Sequence, residues 1–416
     1  MTDSSDEHSQ PLTILLGCDT FAPDVNGAAR FAERLAAGLV ERGHTVHVIA
    51  PSTTAFKTGE WDETHEGARL HMHRLFSLRW YPHPWLRYMM PWTIRRNTSR
   101  ILDQVKPDAV HFQSHFVVGR GLAETARARG IRVVATNHTM PENMIEHTTL
   151  PKPLQPILLK WAWRDAVKIL KRADAVTTPT RRAADYLEEA TGIAGIHAIG
   201  NGVRVADYTP DFEHRGNRIV FVGRITGEKR LEVLVRAVAL LPKSLDWTLE
   251  IVGDGEQLHH LERLAAQLGV GQRVEFAGLV SDADLKKAYT RADVLAMPST
   301  AELQSIVTME AMSSGLPVVA ADAMALPHLV HDGENGYLFR PDDARDLARK
   351  LERILTLPDE EFRRMKKASL RLIQVHDIER TLSTFECLYR GNPVVDPVTE
   401  LDSDDENHGD PVTEGR

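Results

Sequence analysis

The strongest constraint in this chain is an alternation that runs, lapses and runs again. From Leu12, "LTILLG" is a short continuous apolar run, "AARFAERLAAGLVERG" carries apolar residues at helical spacing up to Gly43, and "TVHVIA" returns to the short run. "DAVHF", "IRVVAT" and "DAVTT" extend the pattern to about residue 178. Strands that are apolar along their whole length are covered on both faces, which marks parallel sheets built from βαβ units. At 201–217, "NGVRVADYTPDFEHRGN" loses its periodicity and gathers turn formers. Then come "RIVFVG", "EKRLEVLVRAVALL", "WTLEIVG", "EQLHHLERLAAQLG" and "RVEFAG" in the same rhythm. The expectation is an α/β protein of two doubly wound, Rossmann-like domains, residues 11–205 and 206–376, facing each other across a cleft. Ligands of such sheets sit beyond the carboxyl ends of the strands, so the loops after strands are where chemistry belongs.

A chain of 416 residues exceeds one ordinary core, in keeping with two domains. No apolar run approaches the roughly 20 residues that cross a bilayer. The start "MTDSSDEHSQP" is acidic and unlike a secretory signal, and two cysteines, Cys18 and Cys387, are too few for a disulfide framework. These features point to the cytoplasm. The net charge of −8 resides at the ends: residues 1–8 hold three acids, and 396–416 hold eight against Arg416. Setting those aside leaves 47 acids and 49 bases. Residues 1–10 and 393–416 have little to bury and read as disordered acidic tails.

After "RIVFVG" comes "RITGEKR", which sets Arg224 and Lys229 beside Gly223 and Gly227. Glycines and cations in such a loop suit a phosphate held by backbone amides and a helix N-terminus. The spacing is not that of a Walker A loop, and "VGDGE" (252–256) lacks the third glycine of a dinucleotide fingerprint. Both cations could also be surface charges at a helix start. The helix dipole disfavours cations there, so their placement asks for an anionic partner. In "AELQSIVTMEAMSSGLPVVAAD" (301–322), Ser305 and Gly315 mark the ends of a helix of about ten residues. Glu302 then precedes that helix and Glu310 lies about a turn and a half inside it. An acid at mid-helix ordinarily faces water; the apolar neighbours of Glu310 argue otherwise. "DAD" at 282–284 reads as first-turn acids behind an N-cap at Ser281, not as a metal site, and no zinc-spaced cluster exists. No metal and no cofactor are expected.

Taken together and in this order, "FVGRITGEKR", "IVGDGE", "ADVLAMPS", "STAELQSIVTMEAMSSGLPVVA" and "IGNGV" resemble the retaining glycosyltransferases of family 4, of the GT-B fold, over residues 12–390. The glutamate spacing matches that family's E-x7-E motif. The resemblance implies a nucleotide-sugar donor, with Glu302 on the sugar hydroxyls and Glu310 on the ribose. Arg224 and Lys229 would bind the departing diphosphate, with Gly223, Asp254, Ser305 and Ile306 lining the same donor site. One departure is that Gln304 and Ser305 stand where the commonest family form has Phe-Gly. "FAPDVNGAAR" (21–30) resembles the family's glycine-containing loop, which implies that Asn26 and Gly27 lie near the donor phosphates; an ordinary strand-to-helix turn is the competing reading. Many members carry a histidine where this chain has Gln113, and His115 is the nearby substitute. "TNHTMPENM" (136–144) is similar to a loop of transferases that glycosylate diacylglycerol, and puts His138 at the reacting side and Glu142 on the acceptor side. The C-terminal helix, 377–392, would cross back to the first domain.

Residues 69–100 hold seven arginines and no acid, interleaved with Trp80, Tyr81, Trp85, Tyr88 and Trp92. Residues 151–172 hold six cations against Asp165, with Trp161 and Trp163. Such interleaving suits an anionic membrane surface. The competing reading has the tryptophans packed internally and the arginines merely solvated. Nucleic acid is not expected, because the second domain calls for a small-molecule donor. The sequence therefore points to a hexosyltransferase using UDP- or GDP-linked glucose or mannose, peripheral on the inner leaflet, with a lipid acceptor. A soluble acceptor, or a nucleotide-sugar-binding regulator without turnover, is the rival.

Overall fold

The structure is a computed structural model, and it describes residues 10–394 apart from 25, 55, 81–82, 139–154 and 214. It divides into two compact units: the chain up to Gly200 together with the chain from Glu379, and Asn201–Ile378. Both are Rossmann-like α/β units, as the alternation requires.

The first unit holds β1 (Thr13–Gly17), β2 (Thr45–Pro51), β3 (Gly59–His65), β4 (Ala68–Leu75), β5 (Ser77–Trp80), β6 (His83–Met89), β7 (Ala109–Phe112), β8 (Arg132–Thr136), β9 (Ala175–Thr178) and β10 (His197–Ala198). Its main sheet runs β10-β9-β8-β7-β1-β2-β4-β3, parallel except for the edge strand β3. The helix Gly27–Glu41 shows why the sequence period works. Asn26 caps its start by accepting from the Ala29 amide at 2.9 Å, and Gly43, at φ +90°, ends it. Between those ends Ala29, Phe31, Ala32, Leu35, Ala36 and Leu39 are buried. Gly38 is where the C-terminal helix Ile378–Arg390 presses in: a Cβ there would come within 2.6 Å of Leu382. Arg42 clamps the same helix through Glu379 and Glu386, each at 2.7 Å.

The second unit holds β11 (Arg218–Val222), β12 (Thr248–Val252), β13 (Val274–Gly278), β14 (Val294–Met297), β15 (Val318–Ala321) and β16 (Gly336–Phe339). They form one parallel sheet in the order β13-β12-β11-β14-β15-β16. β11 and β12 pair in register from Arg218 and Thr248 to Val222 and Val252, so their following loops leave the sheet side by side. The glycines of "VGDGE" serve that contact. A Cβ on Gly253 would lie 1.9 Å from the Gly223 carbonyl oxygen, and one on Gly255 would lie 2.3 Å from that of Ile225. Backbone bonds from Ile225 to Asp254 (2.9 Å) and from Gln257 to Ile225 (3.1 Å) lace the two loops together.

The arginine-rich segment 69–100 forms strands and the helix Pro91–Val105, and finds its acids elsewhere in the chain. Arg74 is buried, bonding Glu63 at 2.5 Å and the carbonyls of Ala22 and Pro51. Arg69 pairs with Asp62, Arg95 with Glu124 and Arg100 with Glu60. Arg87 bonds Ser77, while Arg79 and Arg96 are exposed. Trp92 is exposed; Tyr81 and the side chains of Trp80 and Trp85 lie outside the described residues.

Replacing Gly253 by Ala should cost about 2–3 kcal/mol, because the methyl group meets a backbone oxygen and the φ of +141° disfavours a side chain. Gly269→Ala, where nothing lies within 4 Å, should cost about 1 kcal/mol from its positive φ alone. Urea unfolding midpoints of the two variants check the difference.

Candidate active site

Strand order reverses once in the second sheet, at the boundary of β11 and β14. The loops that leave those two strands therefore part around an open crevice, the place where such sheets bind ligands. Lys229 closes a short turn, Gly227–Lys229, in the first of these loops, and its Nζ bonds Glu302 in the second. Both side chains are mostly buried, 17% and 12% exposed. Burial drives the Glu302 carboxyl upward. The Lys229 charge and hydrogen bond, with help from Ser299 and Arg224, outweigh it and hold the group below its ordinary 4.5. Arg224 lies 3.2 Å from Glu228, a partner that motif reading did not single out. Burial raises Glu228 too, and the Thr226 hydroxyl, donating at 2.6 Å, leads the contacts that bring it below its usual value.

The helix after Glu302 runs Ile306–Ser313, eight residues rather than about ten. Ser305 caps it, accepting from the Thr308 amide and, at 2.9 Å, from the Thr308 hydroxyl. Gly315 follows at φ +74°. From Thr308 to Ser313 this helix is buried, so the acid within it has no solvated face to occupy. Glu310 is buried and accepts from the Tyr289 hydroxyl at 3.0 Å. Gln304 accepts the Asn201 amide at 2.6 Å and so ties this loop to the start of the unit. Asp254 serves its own turn: its carbonyl takes the Ile225 amide and its carboxylate takes the Gly255 amide at 2.8 Å. Ser281 caps helix Asp282–Arg291 by accepting from the Asp284 amide, and Asp282 and Asp284 stand in its first turn. Among the described residues, no group of three or more His, Cys, Asp or Glu side chains is placed to hold a metal ion.

In the first unit the reversal falls between β1 and β7, and the loops after β1, β7 and β8 gather there. Asn26 spends its side-chain oxygen on the cap of Gly27–Glu41 and faces the Thr20 hydroxyl at 3.4 Å. Asp19, which sequence reasoning missed, accepts from the amides of Val117 and Val118 (3.2 and 3.0 Å) and from the Ser114 hydroxyl. It thereby joins the loop after β1 to the helix after β7. His115 is buried, its Nδ1 has no bonding partner among the described residues, and burial pushes it down to about 4. His138 packs its ring 5.0 Å from Phe31, and burial pushes it to about 3. The side chain bonded to His138 is Gln113, at 2.9 Å, so Gln113 rather than His115 adjoins it. Glu142 lies outside the described residues.

Residues 25–207 match the family described as Glycosyltransferase Family 4, and 209–371 match Glycosyl transferases group 1. A GDP-mannose-dependent alpha-mannosyltransferase of Mycolicibacterium smegmatis is 31% identical over 80% of this chain and 85% of its own. The chain belongs to glycosyltransferase family 4. Sulfoquinovosyl transferase SQD2 of Arabidopsis thaliana is 30% identical over 70% of this family 4 chain, a match that spans 59% of that relative. Alpha-monoglucosyldiacylglycerol synthase of Streptococcus pneumoniae is 25% identical over 84% of this chain and 79% of its own. Among solved structures, sucrose-phosphate synthase of Thermosynechococcus elongatus superimposes with a TM-score of 0.73 at 20% identity, covering 91% of this chain and 98% of that one. HepE of Anabaena, in complex with UDP-glucose, gives 0.70 at 19%, covering 94% and 100%. The fold is GT-B, and family membership makes the chain a glycosyltransferase.

The ion pair of this family 4 enzyme leaves a pH signature. Glu302 titrates below its ordinary 4.5, so the pair's contribution is fully present above that value and drains away as pH falls through the depressed one. Glu302→Gln should flatten the acid side of the stability–pH curve below about pH 4.5. Lys229→Ala, which strands a buried carboxylate, should cost about 3 kcal/mol at pH 7. Chemical denaturation across pH checks both.

Proposed function

We propose that this glycosyltransferase moves a hexose, glucose or mannose, from a UDP- or GDP-linked donor to a hydroxyl of a membrane lipid, with retention of anomeric configuration. One observation carries the reading: Lys229 and Glu302 meet, with Arg224 close by, at the point where strand order reverses in the second sheet. A buried cation held by a carboxylate is suited to a denser anion, and a nucleoside diphosphate presents one. Arg224 and Lys229 would take the diphosphate and stabilise it as it leaves, where a buried charge acts more strongly than in water. Gly223, Asp254, Ser305 and Ile306 would line that site, the last two lying at the amide-bearing start of the helix. Lys229, by neutralising Glu302, keeps its carboxylate ionised to accept from sugar hydroxyls, and Tyr289 orients Glu310 for the ribose.

No residue of either loop set is assigned as a covalent nucleophile. Transfer then runs on one face of the sugar: the bond from the anomeric carbon to the diphosphate breaks and the bond to the acceptor oxygen forms. The proton of the acceptor hydroxyl passes to a diphosphate oxygen. On the first unit, Asn26 and Gly27 would stand by the donor phosphates, His115 and His138 by the reacting sugar, and Glu142 on the acceptor side. Both histidines are neutral near pH 7, so they would act through hydrogen bonds rather than charge.

A lipid acceptor is supported by two features of the first unit. Helix Gln155–Leu170 exposes Ile157 and Trp161 beside Lys160, Arg164 and Lys168, and Trp92 is exposed beside Arg95 and Arg96. An apolar side chain among cations suits the headgroup region of an anionic bilayer. The name of the Streptococcus pneumoniae relative, a diacylglycerol-glycoside synthase, agrees with that acceptor class. In the described residues no helix is long and apolar enough to cross a membrane, and docking from the cytoplasmic side at the inner leaflet fits these surfaces.

Nucleotide release from a panel of UDP-, GDP- and ADP-sugars, with and without extracted lipid, tests the reading. Lipid-stimulated release from one donor is expected, falling about 100-fold or more in Lys229→Ala and Glu310→Ala. Donor binding without release, with or without lipid, would replace the lipid acceptor by a soluble one or make the protein a regulator without turnover. In flotation with anionic liposomes the wild type should rise with the vesicles at low salt, and Trp161→Ala with Lys160→Ala should lower that fraction several-fold. A wild type left at the bottom at every salt concentration removes the membrane from the reading.

A further inference from the structure

β7 and the residue after it read "AVHFQ", and the alternate residues His111 and Gln113 are buried polar side chains. Their bonds form a directed series. His111 Nδ1 lies 2.7 Å from the hydroxyl of Tyr389, on the C-terminal helix of the same unit. Its Nε2 lies 2.6 Å from the Thr136 hydroxyl, which is 2.7 Å from that of Thr177. Gln113 Nε2 faces that same His111 Nε2 at 3.3 Å, and Gln113 Oε1 faces His138 Nε2 at 2.9 Å.

Donor and acceptor chemistry then sets the protons. An amide nitrogen only donates, so His111 Nε2 bears a lone pair, and its proton sits on Nδ1, given to Tyr389. An amide oxygen only accepts, so His138 bears its proton on Nε2, which leaves a lone pair on Nδ1. No described residue donates to that Nδ1. Thr177 donating to Thr136 and Thr136 to His111 agree with the same directions. The His111 ring is held in place, stacked 4.9 Å from Phe385.

We propose that Gln113 is a positioning residue: anchored through His111 to Tyr389, it holds His138 in the Nε2–H tautomer so that Nδ1 accepts a hydrogen bond from a substrate hydroxyl. The inference rests on the transferase reading for the identity of that hydroxyl, on the hexose or its acceptor. It does not rest on that reading for the tautomer. An apolar side chain at 113 would fill the same space but leave the ring free to carry its proton on either nitrogen.

Histidine-selective nitrogen NMR of the full chain, with the His138 signal identified by its loss in His138→Asn, reads the tautomer directly. The wild type should show Nε2–H. In Gln113→Met, close in volume, the ring should become a mixture of tautomers, with kcat down about tenfold or more and donor KM changed less than about threefold. Tyr389→Phe removes one oxygen at the far end and should move both readouts the same way by a smaller factor, which keeps the test available if Gln113→Met does not fold. A His138 proton on Nδ1 in the wild type overturns the proposal, as does a Gln113→Met protein with wild-type tautomer and wild-type kcat. If the wild type turns over no donor, the transferase reading falls and the NMR result still decides this one.

Discussion

A parallel sheet covered on both faces leaves chemistry only its strand ends, and that constraint orders the rest of this molecule. The strand order turns between β1 and β7 in the first unit and between β11 and β14 in the second, and the loops that bear Asp19, Gln113, His115, Lys229 and Glu302 leave the strands flanking those points. The glycines of the second unit follow from the same geometry. Two loops that leave neighbouring strands in register must touch, and Gly253 and Gly255 are what lets backbone meet backbone there.

Desolvation acts on Glu302, Asp19, His115 and His138 alike, and their surroundings decide the outcome. Glu302 has Lys229 and stays ionised. Asp19 has a helix start and a serine hydroxyl, yet burial still raises it. His138 bonds the neutral Gln113 amide, and burial is the largest influence on both His115 and His138, so both lose their charge. One unit thus carries a charged pair suited to an anion, and the other carries uncharged ring nitrogens suited to hydroxyls.

Long-range pairing is what changes the meaning of charge runs. The segment 69–100 lacks an acid of its own, but Arg74 reaches Glu63, Arg95 reaches Glu124 and Arg100 reaches Glu60. Arg74 becomes part of the core rather than of a surface patch. Among the described residues, what stays exposed is narrower than the composition suggested: Trp92 with Arg96, and Ile157, Lys160 and Trp161 on Gln155–Leu170.

Local pattern sufficed for the two α/β units, the helix starts at Ser281 and Ser305, and the loops that bear Arg224, Lys229, Glu302 and Glu310, because each depends on neighbours in sequence; that Asn26 caps its helix came from the fold. It could not supply Glu228 as the partner of Arg224, Tyr289 as the partner of Glu310, or Asp19 as the link between two loops. Nor could it show that Gln113, the residue that breaks the family pattern, is the one that meets His138. Apart from Arg224 and Glu228, four positions apart in one loop, those contacts join distant segments of the chain, as do His111 and Tyr389 278 positions apart, and only the folded chain brings them within hydrogen-bond reach. Periodicity is a property of a segment; a proton's place in a buried network belongs to the whole unit.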